Sequence, residues 1–343
     1  MSLWRRWVAF LDRREAATSL ALARIVLGAT IASHLAYMAW VGGDLLVWAD
    51  AAYGGLRTLE PGWLAHVGGL TPENVRGLLL VTTFAAVAFT LGVSTRVAAF
   101  VTWVGFRTLA DLNSHAGGAY DELAKNILLL LLVSGCGRAL SFDAWWAARK
   151  ARAGGAPFDP LVPAWPRYVL IFQLVLMYWA TGMQKVSSGW VPGGSADALW
   201  YILQQPTWQR REMTWLAPLF PLTQLATLGT WFFEQGAPLL LLAFWFRHTR
   251  TRPGRLRAVF NRLDVRSLYL LVGLGMHAGI EATMDVGAFS WATMAIYVAC
   301  FHPDEWTRLG KRLGFSGGAP RAGWTPRAVT PPAPASGRLP SAP

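Results

Sequence analysis

The chain has 343 residues and is 54% hydrophobic. Only 15% of its residues are charged, whereas soluble domains average about 25%. This composition excludes an ordinary soluble globular protein, and the 19 tryptophans favour contact with membrane–water interfaces. A net charge of +12 would indicate nucleic-acid binding if the basic residues formed one patch, but they are spread over separate loops.

Long apolar runs, taken in chain order, predict membrane spans. A bilayer core takes about 20 apolar helical residues to cross, and helices satisfy the backbone there. We therefore predict an all-α fold, a polytopic transmembrane helical bundle of about eight spans. The predicted spans are 17–41, 74–92, 95–113, 122–137, 167–186, 222–246, 267–285 and 286–301.

The remaining segments divide the chain into three parts. Residues 1–14 predict an amphipathic interfacial helix, and residues 142–152 predict a second surface helix. Residues 15–310 form the predicted transmembrane domain. Residues 311–343 are rich in Gly, Pro, Ala and Ser with few apolar anchors, which predicts a disordered tail.

The distribution of Lys and Arg predicts the orientation of the chain. With eight spans, most of the 31 basic residues fall on one side, which the positive-inside rule assigns to the cytoplasm. Both termini are then cytoplasmic, and the expected location is the inner (plasma) membrane of the cell. We expect the arginines of that side, Arg167 and Arg266 among them, to face anionic lipid head groups at about 1 kcal/mol each.

Polar side chains inside the predicted spans are candidates for function, because membrane depth makes them costly. Most lie in the outer halves of their helices, which favours a cavity that opens away from the cytoplasm. Two triplets are spaced at intervals of four residues, and each would follow one helical face if its helix runs that far. The triplets are Arg107, Asp111 and His115, and His277, Glu281 and Asp285.

Each of these polar residues also has a plainer interpretation. The first triplet can be an intrahelical Arg–Asp pair with a loop histidine, and the second can be a polar stripe packed on a neighbouring helix. We predict no metal site, because three weak ligands on one helix do not make a cage. Glu234 is interpreted as a structural partner for Arg24 or Arg107. Lys185, at the outer end of the fifth span, either extends its ammonium group to water or serves, partly desolvated, as a general base.

Several motifs, in a shared order, resemble one family of membrane proteins. They are YWATGMQKVSSGW at 178–190, SLALARIVLG at 19–28, LNSHAGGAYDELAKNILLLLL at 112–132 and MHAGIEATMDVGAFSWATM at 276–294. They resemble the membrane domain of the vitamin K-dependent γ-glutamyl carboxylases. Bacterial proteins with a horizontally transferred transmembrane (HTTM) domain share that domain, and the resemblance covers residues 10–310.

The resemblance implies a carboxylase-like enzyme that uses a reduced quinone, vitamin K hydroquinone, with O2 and CO2. In that family the oxidised cofactor becomes a base that removes a γ-proton from glutamate, and the carbanion captures CO2. By resemblance Lys185 deprotonates the cofactor, Asn113 and His115 contact it, and His277 is a further catalytic residue. The supporting polar cluster of this predicted site is Arg107, Asp111, Glu281 and Asp285.

The chain also departs from that family. Gln184 stands where the carboxylases have a second lysine, and a short Pro-rich tail stands where they have a large substrate-binding domain. We therefore expect a short peptide or a small molecule as the substrate on the outer face, and the lipid bilayer as the other partner. Two alternatives stay open: a non-enzymatic carrier or sensor of a quinone or lipid-like ligand, and a transporter. The transporter ranks last because no internal repeat is found.

Overall fold

The computed structural model describes residues 3–314, and these residues are mostly helical, which confirms the all-α prediction. Residues up to Trp306 form one compact unit, and a second unit begins at Thr307. The helices are α1 Leu3–Leu11, α2 Thr18–Trp40, α3 Gly43–Trp48, α4 Pro72–Leu91, α5 Thr95–Leu112, α6 Ala119–Ser134, α7 Phe142–Ala153, α8 Trp165–Gln184, α9 Ala198–Leu203, α10 Phe220–Gln235, α11 Pro238–His248, α12 Arg255–Arg262, α13 Val265–Thr283, α14 Phe289–Ala299 and α15 Pro303–Arg312.

The predicted spans all coincide with helices, but one of them is interrupted. The run 222–246 is divided into α10 and α11 at Gly236 and Ala237, because Pro238 has no N–H to continue the first helix. By length and hydropathy, α2 and α4 are suited to cross a bilayer, and α14 is a shorter apolar helix. The other helices of the predicted spans are shorter or more polar, so the eight-span topology stays a prediction.

Local sequence signals explain where α4 begins and ends. The Thr71 hydroxyl accepts a hydrogen bond from the Asn74 N–H, and Pro72 occupies the first turn, where no N–H partner is needed. The helix ends at Gly92, whose φ of 71° is the left-handed conformation that glycine adopts without strain. These end signals hold α4 in place for its packing against α2.

The core lies around α2, which packs against α4 on one side and α14 on the other. Small residues let these helices approach closely, as is usual between membrane helices. Gly105 of α5 faces Thr82 of α4 so closely that an added Cβ would collide with the threonine hydroxyl. The buried apolar faces of α5, α6 and α8 complete this core.

Of the two predicted surface helices, the first is shorter than expected and the second is found in full. In residues 1–14, α1 ends at Leu11, and the chain then forms β1, Arg14–Ala16, which pairs antiparallel with β2, Leu161–Pro163. The surface helix predicted at 142–152 is α7. Of the predicted tail, 311–314 finish and follow α15, and the rest lies outside the described residues.

Two arginines at one end of the bundle correct an expectation. Arg167 donates to both carboxylate oxygens of Glu15, at 2.6 and 2.9 Å, and both side chains are buried. Arg266 donates to both carboxylate oxygens of Glu305, at 2.7 and 2.9 Å, and is also buried. The expectation that these two arginines face lipid head groups is therefore wrong, since protein carboxylates take that place. We call this end of the molecule, defined by the two pairs, the basic end.

Candidate functional site

A cavity of about 560 Å³ lies at the opposite end of the bundle. The end of α2, α3, the end of α5 and the start of α6 surround it, together with residues 285–289 between α13 and α14. Its polar lining residues are His34, Asn113, His115, Tyr120, Asp121 and Asp285. The cavity thus brings together Asn113, His115 and Asp285, three of the residues that the sequence singled out.

Asn113 and Tyr120 are the buried polar groups of the cavity wall. Asn113 ends α5, and its amide nitrogen donates to the Val47 carbonyl at 2.8 Å, while its Oδ1 has no hydrogen-bond partner. The hydroxyl of Tyr120 also has no partner, and its ring packs edge-on against His34 and Phe106. Because buried polar atoms are normally satisfied, these two groups call for a polar ligand or water.

The two histidines of the cavity differ in burial. His115 is exposed and lies in the turn after α5, which ends at Leu112. His115 therefore does not continue the helical face of Arg107 and Asp111. It lies in a loop, as the plainer interpretation of this triplet expected. His34 lies on α2 in contact with Tyr120. In the sequence, His34 stands out as a histidine within an apolar span. It belongs to neither of the two triplets, so their spacing did not connect it to the site.

A second and larger space, which we call the groove, has a volume of about 970 Å³ and adjoins the cavity along α2 and the start of α14. The two spaces share four lining residues, namely His34, Met38, Asp285 and Gly287. At the rim of this groove, Arg210 pairs with Glu281 at 3.0 Å. Asp285 lies beyond the end of α13 at Thr283, so it does not share a helical face with Glu281.

His277 lies behind the cavity wall rather than on it. Its ring is buried and packs against Phe289, a lining residue, with 5.6 Å between ring centroids. Its Nε2 is hydrogen-bonded to the hydroxyl of Tyr178 at 2.7 Å, and that hydroxyl also bonds the hydroxyl of Tyr297 at 2.9 Å. The Nδ1 atom has no partner. The structure thus places His277 at one end of a buried hydrogen-bond chain that runs from His277 through Tyr178 to Tyr297, which the sequence spacing did not indicate.

Lys185 immediately follows α8 and is mostly buried. Its Nζ donates to Glu234 Oε2 at 2.6 Å and lies over the Trp190 ring, 4.9 Å from the centroid. Gly182 makes this pair possible, because a Cβ there would lie 2.9 Å from the Cβ of Glu234. Lys185 is not among the lining residues of the cavity. Along α8 it is about 10 Å from Tyr178, at 1.5 Å per residue.

The comparison with known families bears on this arrangement. A model of the HTTM domain matches residues 12–306. The chain belongs to the HTTM family. The match contains every motif on which the resemblance rested, and with the apolar α2 and α4 it identifies a membrane protein. No curated protein and no solved structure matches the chain.

Two arginines of the HTTM domain have partners other than Glu234. Arg24 is buried and donates to the carbonyls of Cys136 and Ala139, which follow α6. Arg107 pairs with Asp111 at 3.2 Å. The hypothesis that Glu234 is the partner of Arg24 or Arg107 is therefore wrong, and its partner is Lys185. Charge alone could not predict which of these three cations pairs with Glu234, because the packing of the helices decides which one lies close enough to it.

The supporting polar cluster predicted for the HTTM domain is not one cluster. Asp111 also accepts a hydrogen bond from Lys125 at 3.0 Å, and this half-exposed network with Arg107 lies outside the cavity lining. Glu281 belongs to the groove, whereas Asp285 lines both spaces. Within residues 3–314, no group of three or more His, Cys, Asp or Glu side chains is placed to hold a metal ion.

Proposed function

We propose that this HTTM protein is a carboxylase-like membrane enzyme that binds a reduced quinone in the cavity and uses O2 and CO2. The proposed topology has eight spans, with both termini in the cytoplasm and the cavity at the outer face. The basic end supports this orientation. It carries the ion pairs Glu15–Arg167 and Glu305–Arg266, in which Glu15 is near the N-terminus and Glu305 follows the last predicted span, and it lies opposite the cavity. The proposed substrate is a short peptide or small molecule that carries a carboxylate.

The observation that carries the proposal is the pairing of an apolar cavity with unsatisfied polar groups. Ligand pockets commonly measure about 300–1,000 Å³ and combine apolar walls with a few placed polar groups. At about 560 Å³ the cavity has this size, and Leu109, Trp48 and Phe289 form part of its apolar wall. The Oδ1 of Asn113 and the hydroxyl of Tyr120 supply the polar groups.

These residues fit a quinol in a definite way. The Asn113 amide is held by the Val47 carbonyl, so its Oδ1 is oriented to accept a hydrogen bond from a quinol hydroxyl. The adjoining groove along α2 offers an apolar path for an isoprenoid tail. When bound, a reduced quinone supplies with O2 the base strength that removal of a γ-proton requires, and the carbanion then adds to CO2.

Lys185 and Glu234 form the proposed acid–base pair. A lysine acts as a base only after losing its own proton, and the carboxylate at 2.6 Å is positioned to receive it. Trp190 and Trp231 shield the pair from water, since Trp231 donates to the Lys185 carbonyl at 3.3 Å. His277 supports the same site through Tyr178, which is on the helix that ends at Lys185.

A carrier or sensor of a quinone or lipid-like molecule is the second candidate. The specific observation in its favour is that Lys185 is ion-paired and absent from the lining of the cavity. A carrier needs only the cavity and the groove, whereas an enzyme also needs Lys185. The two candidates therefore differ in what removal of Lys185 does.

The decisive experiment supplies vitamin K hydroquinone and O2 to the purified full-length protein and measures epoxide formation. We expect turnover in the wild type and at least a hundredfold loss in Lys185→Ala, because general base catalysis contributes about 10²–10⁴-fold. Lys150→Ala is the control, since Lys150 is exposed on α7. No epoxide in the wild type would reject the enzyme.

A binding measurement separates the carrier from no quinone function at all. A quinone analogue is titrated into the wild type, Asn113→Leu and, as the control, Asn261→Leu on α12. Loss of one hydrogen bond, about 1 kcal/mol, lowers the affinity of Asn113→Leu about fivefold. Binding without turnover would favour the carrier, and equal affinity for all three proteins would place the quinone outside this cavity.

A further inference from the structure

A separate apolar pocket lies between α1, α8 and α11, near the basic end. Its volume is about 430 Å³, and no charged residue lines it. The lining is mostly aromatic, and it includes Trp7 and Phe10 of α1, Tyr168 and Phe172 of α8, and Phe244 and Trp245 of α11. This pocket shares no lining residue with the cavity at the other end of the bundle or with the groove.

One wall of the pocket is α1, which rests on the bundle through Phe10 and Trp7. Phe10 is buried, and its ring packs against Tyr168 and His248 with centroid distances of 4.3 and 4.6 Å. Trp7 stacks on Trp245 at 5.5 Å. On the lipid-facing side, Phe172 is 52% exposed, so the pocket is reached from the bilayer.

Two arginines lie near one end of this pocket. The Arg13 guanidinium lies 4.7 Å from the Phe10 ring centroid and donates to the Tyr168 hydroxyl at 3.1 Å. His248 contacts the Phe10 ring, and Arg252 follows in the turn after α11. Burial, followed by the charges of Arg13 and Arg252, lowers the pKa of His248, which agrees with a positive potential at this point.

We infer that this pocket binds one acyl chain of an anionic phospholipid, with Arg13 and Arg252 holding its head group. The pocket alone would accept any apolar chain. The adjacent arginines select a negative head group, because each basic residue near an anionic membrane surface adds about fivefold in affinity. The lipid would then fasten α1 to α8 and α11, beside the contacts that Phe10 already makes with Tyr168 and His248.

The test counts bound lipids by native mass spectrometry on the full-length protein in detergent. Phosphatidylglycerol and phosphatidylcholine with identical chains are titrated separately. We expect the anionic lipid to bind at least tenfold more tightly and to saturate at one tightly held copy. Equal affinities for the two lipids would overturn the charge selection.

Matched variants locate the lipid. Val169→Trp fills the pocket from a position that is 36% exposed, and Val87→Trp on α4, at 42% exposed, is its control. Only the first is expected to lose the tight copy, and the milder Val169→Phe repeats the test if Val169→Trp does not fold. Arg13→Gln with Arg252→Gln should reduce the affinity about twentyfold, whereas Arg152→Gln on α7 should not. Tight binding that survives Val169→Trp and Val169→Phe would overturn the proposal.

Discussion

The two ends of the bundle differ in how their buried polar groups are paired. At the basic end, the Arg167 and Arg266 guanidiniums each meet a carboxylate through two hydrogen bonds. At the cavity end, the Oδ1 of Asn113 and the hydroxyl of Tyr120 are buried without a partner. Both arrangements are costly in an apolar protein. At the basic end the paired hydrogen bonds to carboxylates offset the cost, with the Arg266 Nε left without a hydrogen-bond partner, whereas the two cavity oxygens have no hydrogen bond at all.

This difference assigns different roles to the two ends. The buried ion pairs join separate parts of the chain and hold the fold together, since Glu15 and Arg167 are 152 positions apart in sequence and Arg266 and Glu305 are 39 apart. Unsatisfied groups next to a cavity contribute nothing to the isolated fold and are explained by a ligand. Substitutions at the basic end should therefore act on stability, and substitutions in the cavity wall should act on binding.

The largest expected effect is that of Arg167→Ala. The substitution removes both guanidinium hydrogen bonds of the buried Glu15, although His302 Nε2 lies 3.7 Å from its Oε2, and loss of one partner of a buried ion pair costs about 3–5 kcal/mol of unfolding free energy. Thermal unfolding of the detergent-solubilised protein measures it. The control is Arg14→Ala, whose half-exposed pair with Asp159 is worth about 0–1 kcal/mol. Equal losses in the two variants would contradict the structural role of the buried pair.

Gly182→Ala is expected to have the next largest effect. The new Cβ would lie 2.9 Å from the Glu234 side chain and 3.1 Å from the Gln235 nitrogen, so α8 and α10 must separate. Overpacking of this kind costs about 1–3 kcal/mol. Gly229→Ala on α10 is the control, because nothing lies within 4 Å of its added Cβ. If the two variants unfold at the same temperature, the fold does not require the close approach of α8 and α10 at Gly182.

How far the sequence predicts this molecule depends on the feature. Long apolar runs predicted the span segments as helical, with the run 222–246 divided into α10 and α11, and ordered motifs predicted the HTTM family. Helix ends were less predictable, because one or two residues decide them. The stops at Leu112 and Thr283 removed His115 and Asp285 from the faces assigned to them.

Partner choice was the least predictable feature. The pairs of Glu234 with Lys185 and of Glu15 with Arg167 join residues 49 and 152 positions apart. No local spacing encodes such pairs, since they depend on which helices lie side by side. The same holds for the Tyr178 hydroxyl, which bonds both His277 and the Tyr297 hydroxyl.

Acid provides a smaller and reversible test of the basic end. Burial acts to raise the pKa of Glu305, but hydrogen bonds from Arg266 and from the His302 N–H, with the charges of Arg266 and Arg247, lower it to about 2. A depressed folded pKa gives stability that is present above the usual glutamate value of about 4.3 and is lost as pH falls toward 2. The stability advantage of the wild type over Glu305→Gln should therefore shrink between pH 5 and pH 2. A constant difference over that range would mean that the Glu305 charge does not stabilise the fold.

The smallest effect on stability, and the sharpest test of the comparison, is expected from Tyr120→Phe. The hydroxyl has no partner, so its removal should leave the unfolding free energy within about 0.5 kcal/mol of the wild type or raise it. Tyr178→Phe is the matched control, because its hydroxyl bonds both His277 and Tyr297 and its loss should cost about 1–3 kcal/mol. A quinone analogue should show the reverse order, with Tyr120→Phe weakening its binding about fivefold. A Tyr120→Phe variant that is less stable but binds as tightly as the wild type would mean that this hydroxyl serves the fold, and that the two ends of the bundle do not differ as described.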